Sequence, residues 1–230
     1  MGQITVEKNV AGIEGLCIIT PAAHGDNRGY FMETYSQRDM EENGIHINFV
    51  QDNQSMSTKG VLRGLHFQKN YPQTKLVRVI KGSVFDVAVD LRKGSATFGK
   101  WYGIELTEKN KKQFLIPRGF AHGFLVLSDT AEFCYKCDDF YHASDEGGLA
   151  WNDPEIGIQW PEVTGEYRGT ASAEGYATNV VPVTTAEYGL SKAARPFNSR
   201  LDKTKLLENG FEPLPTWQDA LERYLKEIAD

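Results

Sequence analysis

The 230-residue sequence has no long apolar run, so it lacks the features of a membrane protein. No stretch approaches the roughly 18 apolar residues that a transmembrane helix needs. The N-terminus lacks the apolar segment of a secretory signal, and position 6 is not the Ser or Thr of a myristoylation signal. The sequence therefore predicts a protein without a membrane partner.

Positive charge is also scarce. Lys and Arg number 25 against 31 Asp and Glu, which gives a formal net charge of −6. A protein that binds nucleic acids generally presents a basic face. We therefore expect no nucleic-acid partner, although a few local Arg and Lys side chains could still bind a small anionic ligand.

Cysteine is rare: Cys17, Cys134 and Cys137 form an odd set without a disulfide framework, which predicts a reducing, cytoplasmic location. Cys134 and Cys137 have the C-x-x-C spacing of redox and zinc sites. On a strand, however, residues three apart point to opposite faces, and the sequence has no second cysteine pair. The pattern favours small apolar side chains packed on a strand.

Long helical periodicity is missing from residues 13–160, where short apolar segments alternate with turns. In residues 84–91, Asp86 and Asp90 share one face of a predicted strand and the apolar side chains share the other. Many short strands at close spacing predict an antiparallel sandwich or barrel. One short helix is expected over Ser36–Asn43, with a Ser cap at its start and Gly44 at its end.

The composition and apolar periodicity of the sequence change after Trp160-Pro161. Residues 162–188 have an irregular pattern, and residues 215–228 have the apolar spacing of a short amphipathic helix. We therefore predict two parts, a β domain over residues 1–165 and an appendage over residues 166–230 that comprises an irregular linker and a C-terminal helix.

Two segments of the β-rich part resemble the two motifs of the cupin barrel. The first ends in His66-Phe67-Gln68, and the second places His122 at the start of an apolar strand, facing inward with Phe124. An inward histidine is more often structural than catalytic, so the residues alone leave both roles open for His122. Metal-binding cupins carry His-x-His, whereas this chain has one His there, and a catalytic metal needs about three protein ligands. We predict no metal and no other cofactor.

A series of motifs, in order and across residues 12–161, resembles the dTDP-4-dehydrorhamnose 3,5-epimerase family. The motifs are Gly25–Glu33, Phe49–Asn53, Leu62–Gln68, Lys75–Arg78, Val84–Asp90, Ile116–Gly123 and Trp151–Pro154. The resemblance implies an all-β fold, a cupin-type (jelly-roll) antiparallel β-barrel or sandwich with a few short helices. It also implies a homodimer in which an N-terminal strand packs on the partner, so that residues 28–33 serve the neighbouring site.

The family inverts C3 and C5 of dTDP-4-dehydro-6-deoxy-D-glucose, a step in the biosynthesis of dTDP-L-rhamnose for cell-surface polysaccharide. Both carbons flank the C4 ketone, so loss of either proton gives an enolate whose charge rests on the C4 oxygen. Such a reaction needs a base, a donor that stabilises the oxygen, and an acid on the opposite face. The resemblance therefore implies an isomerase whose partner is a dTDP-linked 4-keto-6-deoxy sugar.

By resemblance, His66 is the base, Lys75 the cation beside the enolate oxygen and Tyr135 the acid. Without the resemblance, Lys75 could be a solvated strand-end charge and Tyr135 a core residue. A flat strand would put Arg63 and His66 on opposite faces, so we expect a bulge at Gly64. The implied substrate-binding residues are Arg28, Glu33, Gln51, Asn53, Arg63, His122 and Glu146.

The chain departs from the family near its C-terminus. The family pairs its catalytic His with an Asp in a Leu-Ser-x-Lys-Asp segment, but here Ala193 follows Leu190-Ser191-Lys192. Residues 182–230 instead resemble the end of dTDP-4-dehydrorhamnose reductase. No G-x-G-x-x-G motif follows a strand, so we expect a remnant without reductase activity.

The missing Asp leaves several alternatives open. Another carboxylate could replace it, the candidates being Asp86, Asp153, Glu166 and Glu174. The chain could instead be a 3-epimerase or ketoisomerase of a related dTDP-sugar, or a dTDP-sugar binding protein with impaired catalysis.

Overall fold

The computed structural model describes residues 3–163 together with residues 168 and 169, and strands dominate this part of the chain. The helix α1 spans Gln37–Glu42, and short 3-10 turns span Val10–Gly12 and Ala143–Asp145. The strands are β1 (Ile4–Lys8), β2 (Cys17–Pro21), β3 (Ala23–Asp26), β4 (Gly29–Met32), β5 (Gln51–Thr58), β6 (Val61–Gln68), β7 (Lys75–Lys81), β8 (Ser83–Asp90), β9 (Trp101–Thr107), β10 (Gln113–Ile116), β11 (Phe120–Val126), β12 (Thr130–Cys137), β13 (Glu146–Gly148) and β14 (Arg168–Gly169).

Two sheets form the body of the β domain. The first has the order β1-β2-β10-β7-β12-β5, and the second has the order β13-β6-β11-β8-β9, with β14 pairing to β6. All these pairings are antiparallel except β14 with β6. Strands β3 and β4 pair only with each other among the described strands and form an exposed ribbon. The predicted cupin-type jelly-roll fold is confirmed.

The main apolar core lies between the inner faces of the two sheets. Val77 of β7 and Phe133 of β12 meet Val84 of β8 and Phe124 of β11 there, and all four are at most 5% exposed. Phe124 and Phe133 stack with their ring centroids 4.2 Å apart. Because side chains alternate along a strand, residues two positions further along these strands also face the interior.

Each sheet also packs against a cover on its outer face. Met40 of α1 and Ile45 pack on Leu76 and Leu115 of the first sheet, while Trp151 packs on Leu125 of the second. Helix α1 begins where predicted, because the Ser36 hydroxyl accepts a hydrogen bond from the Asp39 amide at 3.3 Å. The buried outer faces explain why several strands are apolar on both sides.

One face of strand β8 points into the barrel, and the other points outward. The face that carries Asp86 and Asp90 contributes Val84 and Ala88 to the core between the sheets. The wholly apolar face points outward, where Phe85 meets Trp160 edge to face with ring centroids 6.0 Å apart. The predicted alternation is confirmed, and it places a carboxylate, Asp86, inside the barrel.

Within the described residues, none of the helices has the length and apolar character to cross a membrane. Of the predicted appendage, residues 166–230, only β14 is described, and its parallel pairing with Val61 and Leu62 extends the second sheet. The predicted helix over residues 215–228 lies outside the described residues.

Candidate active site

A bulge in β6 turns two functional side chains toward the same side of the strand. Between Arg63 and His66, three residue steps on β6 oppose two steps on β11. An extra residue of this kind bends a strand and re-aims its side chains. The bulge predicted at Gly64 is therefore confirmed. Arg63 reaches the facing sheet, where its Nε donates to the Ser57 hydroxyl of β5 at 2.9 Å.

The imidazole of His66 contacts a carboxylate on the neighbouring strand. His66 Nδ1 lies 3.1 Å from Oε1 of Glu146, at the start of β13. The other carboxylate oxygen, Oε2, accepts a hydrogen bond from the Tyr141 hydroxyl at 2.9 Å. An ionised carboxylate can only accept, so the Nδ1 of neutral His66 carries the proton and Nε2 keeps a free lone pair. With 45% of its side chain exposed, His66 can accept a proton from a bound molecule.

Lys75 lies at the start of β7, between Ile116 of β10 and Cys137 of β12 in the sheet register. The removal of its ammonium group from water lowers the pKa of Lys75, although Cys137, Asp86 and Glu146 act in the opposite direction. A solvated strand-end charge would show no such loss of water. The ammonium group of Lys75 is therefore partly removed from water, and its role as the cation of the site stays a prediction.

Tyr135 lies on the inner face of β12, two residues after Phe133, with the two ring centroids 6.1 Å apart. Burial raises the pKa of Tyr135, and Cys137 and Glu146 raise it further, while Arg63 acts in the opposite direction. A phenol already holds its proton at neutral pH, so a raised pKa keeps it a proton donor.

Glu146 connects the three predicted catalytic residues. It contacts His66 directly, and its charge acts on both Lys75 and Tyr135. Electrostatic effects of this kind fall off with distance, so the base, the cation and the phenol lie around one part of the barrel interior. The structure thus brings together residues from β6, β7, β12 and β13 that are up to 80 positions apart in sequence.

A second histidine–carboxylate pair lies deeper in the barrel. Nε2 of His122 is 3.0 and 3.1 Å from the two carboxylate oxygens of Asp86, and neither residue is more than 7% exposed. Burial raises the pKa of Asp86, and His122 and Lys75 oppose that rise. His122 faces inward as predicted, directly opposite His66 in the register of β11 and β6. Asp86 is thus engaged by His122, and within the described residues Glu146 is the carboxylate in contact with His66. The candidates Glu166 and Glu174 lie outside the described residues.

The remaining predicted binding residues fall into two groups. Gln51 and Asn53 lie on β5, where the Gln51 side-chain amide donates to Asn53 Oδ1 at 3.1 Å and accepts from the Tyr141 amide at 3.1 Å. Arg28 lies at the turn of the β3–β4 ribbon, where it pairs with Asp26 and is 86% exposed, and Glu33 follows the ribbon. The first group borders the site, because Tyr141 contacts both Gln51 and Glu146.

Three roles in this site are not evident from the sequence. Glu146 was expected to bind substrate, not to contact His66. The sequence offers Asp86 only as a replacement carboxylate, and no pattern in it points to Tyr141. The alternation of residues 84–91 already placed Asp86 on one face with Val84 and Ala88, but nothing in the sequence showed that this face meets His122.

The cysteines do not form a redox or metal site among the described residues. The three cysteines are free, and Cys134 and Cys137 point to opposite sides of β12, with Cys137 fully buried. Among the residues described, no three His, Cys, Asp or Glu side chains lie close enough together to hold a metal ion. That the protein uses no metal remains a prediction from the sequence.

The fold and the site together define a class of protein. A jelly-roll barrel that holds an imidazole with a free lone pair, a cation and a phenol around one interior space can carry out general acid–base chemistry beside a carbonyl group. Comparison with known proteins identifies the family within this class. Residues 11–176 match the family model of dTDP-4-dehydrorhamnose 3,5-epimerase. The chain belongs to this family.

Individual relatives agree with the family match. The dTDP-4-dehydrorhamnose 3,5-epimerase of Methanothermobacter thermautotrophicus is 56% identical over 149 residues, 65% of this chain and 80% of that protein. The Escherichia coli K12 enzyme of the same name is 54% identical over 155 residues, 66% of this chain and 84% of that protein. The crystal structure of the RmlC epimerase from Legionella pneumophila, in complex with dTDP-4-keto-L-rhamnose, superposes with a TM-score of 0.67. It is 51% identical, over 69% of this chain and 84% of that one.

A second family model matches the C-terminal half. Residues 124–229 match the RmlD substrate binding domain and overlap the epimerase match over residues 124–176. This match confirms the predicted resemblance of the C-terminal segment to the reductase. The boundary between the two parts near residue 165 remains a prediction.

Proposed function

We propose that His66, Lys75 and Tyr135 carry out the 3,5-epimerisation of dTDP-4-dehydro-6-deoxy-D-glucose in this protein. The observation that carries the proposal is the position of Glu146, which contacts the imidazole of His66 at 3.1 Å and raises the pKa of both the Lys75 ammonium and the Tyr135 phenol. A base, a cation and an acid around one space are the three groups that epimerisation beside a ketone requires.

The chemistry follows from the position of each group. Nε2 of His66 takes the C3 proton, and the electron pair moves into the enolate, whose charge rests on the C4 oxygen. The Lys75 ammonium stabilises that oxygen, and Tyr135 gives a proton to C3 from the opposite face. The same steps at C5 complete the reaction, once solvent has taken the proton from His66 and returned one to Tyr135.

We propose that Arg63, Gln51 and Asn53 hold the nucleotide. Arg63 presents a half-buried guanidinium on the inner side of β6, which suits the forked, charge-assisted hydrogen bonds that diphosphate oxygens accept. Gln51 and Asn53 offer paired donors and acceptors at the border of the same site. The ligand is the dTDP-linked 4-keto-6-deoxy sugar that the resemblance implies.

We also propose a cytoplasmic homodimer. The three free cysteines suit a reducing compartment. The β3–β4 ribbon exposes Tyr30 and Phe31 by 60% and 67% and places Arg28 at its turn. Clustered exposed aromatic side chains are typical of protein interfaces, and a partner's sheet would cover them. Analytical ultracentrifugation should give twice the chain mass for the protein, and a monomer mass at micromolar concentration would contradict the dimer.

Hydrogen exchange at the sugar tests the catalytic roles. In D2O, the protein should incorporate deuterium at both C3 and C5, because each enolate is reprotonated from a group in exchange with solvent. His66→Ala should abolish exchange at both carbons, whereas Tyr135→Phe should slow inversion more than proton loss. His46→Ala, which removes an exposed histidine, is the matched control and should exchange like the unchanged protein.

The outcomes separate the alternatives. Exchange that persists in His66→Ala would remove His66 from the role of base. Exchange at C3 alone would indicate a 3-epimerase or ketoisomerase. Binding of dTDP without exchange at either carbon would indicate a binding protein whose catalysis is lost.

A further inference from the structure

We propose that Glu146 is the positioning residue of His66 and takes over the part of the carboxylate that the C-terminal segment lacks. The inference rests on the proposed role of His66 as the base. Ala193 and not Asp follows Leu190-Ser191-Lys192, yet the structure places a carboxylate oxygen 3.1 Å from Nδ1 of His66. This carboxylate comes from β13, a strand of the barrel itself.

The register of β13 against β6 explains how Glu146 reaches His66. Gly148 pairs with His66 and Glu146 pairs with Gln68, so the two side chains are diagonal neighbours on adjacent antiparallel strands. Diagonal neighbours lie within reach when one side chain is as long as glutamate. The contact therefore follows from the strand pairing and does not depend on a distant loop.

The backbone on both sides of Glu146 is anchored. The preceding carboxylate, Asp145, is buried and accepts hydrogen bonds at 2.8–3.0 Å from Asn70 and from the Tyr71 amide. The following Gly147 lies so close to the Phe67 ring that a Cβ there would be 2.6 Å from a ring carbon. An anchored backbone holds the Glu146 carboxylate at a constant distance from β6, which is what a positioning group requires.

A second hydrogen bond fixes the carboxylate itself. The Tyr141 hydroxyl donates to Oε2 at 2.9 Å and leaves Oε1 directed at Nδ1 of His66. The carboxylate therefore holds the proton of neutral His66 on Nδ1 and the lone pair on Nε2. When Nε2 accepts a substrate proton, the same carboxylate stabilises the imidazolium that forms.

The exposure of the pair indicates a role in the reaction more than in folding. The side chains of His66 and Glu146 are 45% and 33% exposed, and ion pairs with that access to water contribute little to the free energy of unfolding. A change at Glu146 should therefore leave the fold intact and act on the state of the imidazole.

Glu146→Gln tests the proposal, with Glu105→Gln as the matched control. Glu105 is an exposed glutamate on β9, at the opposite edge of the same sheet. We expect Glu146→Gln to lower kcat by about tenfold or more while KM and the affinity for dTDP stay within about threefold, and the melting temperature stays unchanged. The control should match the unchanged protein in all four measurements.

Nitrogen-15 NMR of the His66 ring reports which ring nitrogen carries the proton. A role of Glu146 in substrate binding alone would not change that distribution. In the unchanged protein, Nε2 should show the shift of an unprotonated nitrogen. In Glu146→Gln the two nitrogens should approach a mixture, because the amide can either accept from Nδ1 or donate to it. In the His66→Ala background, Glu146→Gln should have no further effect on exchange.

The results distinguish this inference from the proposed function. Loss of exchange in His66→Ala together with an unchanged kcat in Glu146→Gln would overturn the positioning role alone. A raised KM or a weakened dTDP affinity at an unchanged kcat would assign Glu146 to substrate binding and also overturn it. Undiminished exchange in His66→Ala would instead overturn the proposed function itself.

Discussion

Replacing Gly64 with alanine should destabilise the fold, because the new methyl group would meet the backbone of the neighbouring strand. Gly64 has φ +120°, a conformation that L residues rarely adopt. A Cβ at this position would lie 2.5 Å from the Cα of Gly123 and 2.7 Å from the carbonyl oxygen of His122. Both atoms belong to the backbone of β11, so no side-chain rotation can relieve the overlap.

Two costs add up at this position. A non-glycine residue held in a sparsely populated backbone region costs about 1–3 kcal/mol. Forcing an extra methyl group into a packed site costs roughly 1–3 kcal/mol more. The free energy of unfolding should therefore fall by roughly 2–6 kcal/mol in Gly64→Ala.

Gly94→Ala separates the two costs. Gly94 also has a positive φ, +79°, but no atom lies within 4 Å of its Cβ position. This variant should show the backbone cost alone, about 1–2 kcal/mol. The difference between the two variants then measures the collision between β6 and β11.

Urea unfolding followed by tryptophan fluorescence gives both values, with an unchanged m-value as the sign that only stability has changed. Deuterium exchange at the sugar should also slow in Gly64→Ala, because the bulge orients Arg63 and His66 together. Equal stabilities of Gly64→Ala and Gly94→Ala would refute the assignment of Gly64 to a close approach of two backbones.

Two further predictions concern titratable groups away from His66. Burial opposes ionisation of Asp90, but hydrogen bonds from Arg92, Thr97 and Ser95 outweigh it and lower the pKa to about 2, from 3.8. Because the pKa is lower in the folded state, the stabilisation, about 2 kcal/mol, is present above pH 4 and is lost as the pH falls toward 2. The urea midpoints of the protein and of Asp90→Asn should therefore differ most at pH 6, by less at pH 3, and converge only toward pH 2. An equal difference at pH 6 and pH 3 would contradict the assignment. Burial raises the pKa of Cys137 to about 11. Its alkylation by iodoacetamide at pH 8, followed by mass spectrometry, should be at least about a hundredfold slower than in the urea-unfolded chain, whereas a similar rate in both states would show an accessible thiolate.

Much of the fold was predictable because local signals agreed with the tertiary structure. The cap at Ser36 and the turn at Gly44 bound the helix, and the alternation in residues 84–91 corresponds to β8. The conflict between the positions of Arg63 and His66 on a flat strand predicted the bulge, because only an extra residue could turn both the same way. Each of these predictions rests on residues within a few positions of one another.

Other features depend on contacts between distant segments. The alternation in β8 shows that Asp86 lies opposite the apolar face, but both faces of this strand are buried, so hydrophobicity cannot tell which one looks inward. The contact between Asp86 and His122 of β11, 36 positions further along the sequence, shows that the face of β8 carrying Asp86 points inward. The surroundings of Lys75 also depend on distant segments. A lysine at a strand end is usually solvated, and only the sheet register places Lys75 between Ile116 and Cys137.

The sequence by itself determined the all-β barrel, the family and the residue types needed for proton transfer, because strand periodicity and the order of short motifs are local properties of the chain. Only the tertiary structure decided which carboxylate serves which histidine. Glu146 lies 80 positions from His66, and their contact depends on the register between β13 and β6. A difference of one residue in that register would turn the glutamate to the other face of the sheet, and no local pattern encodes it.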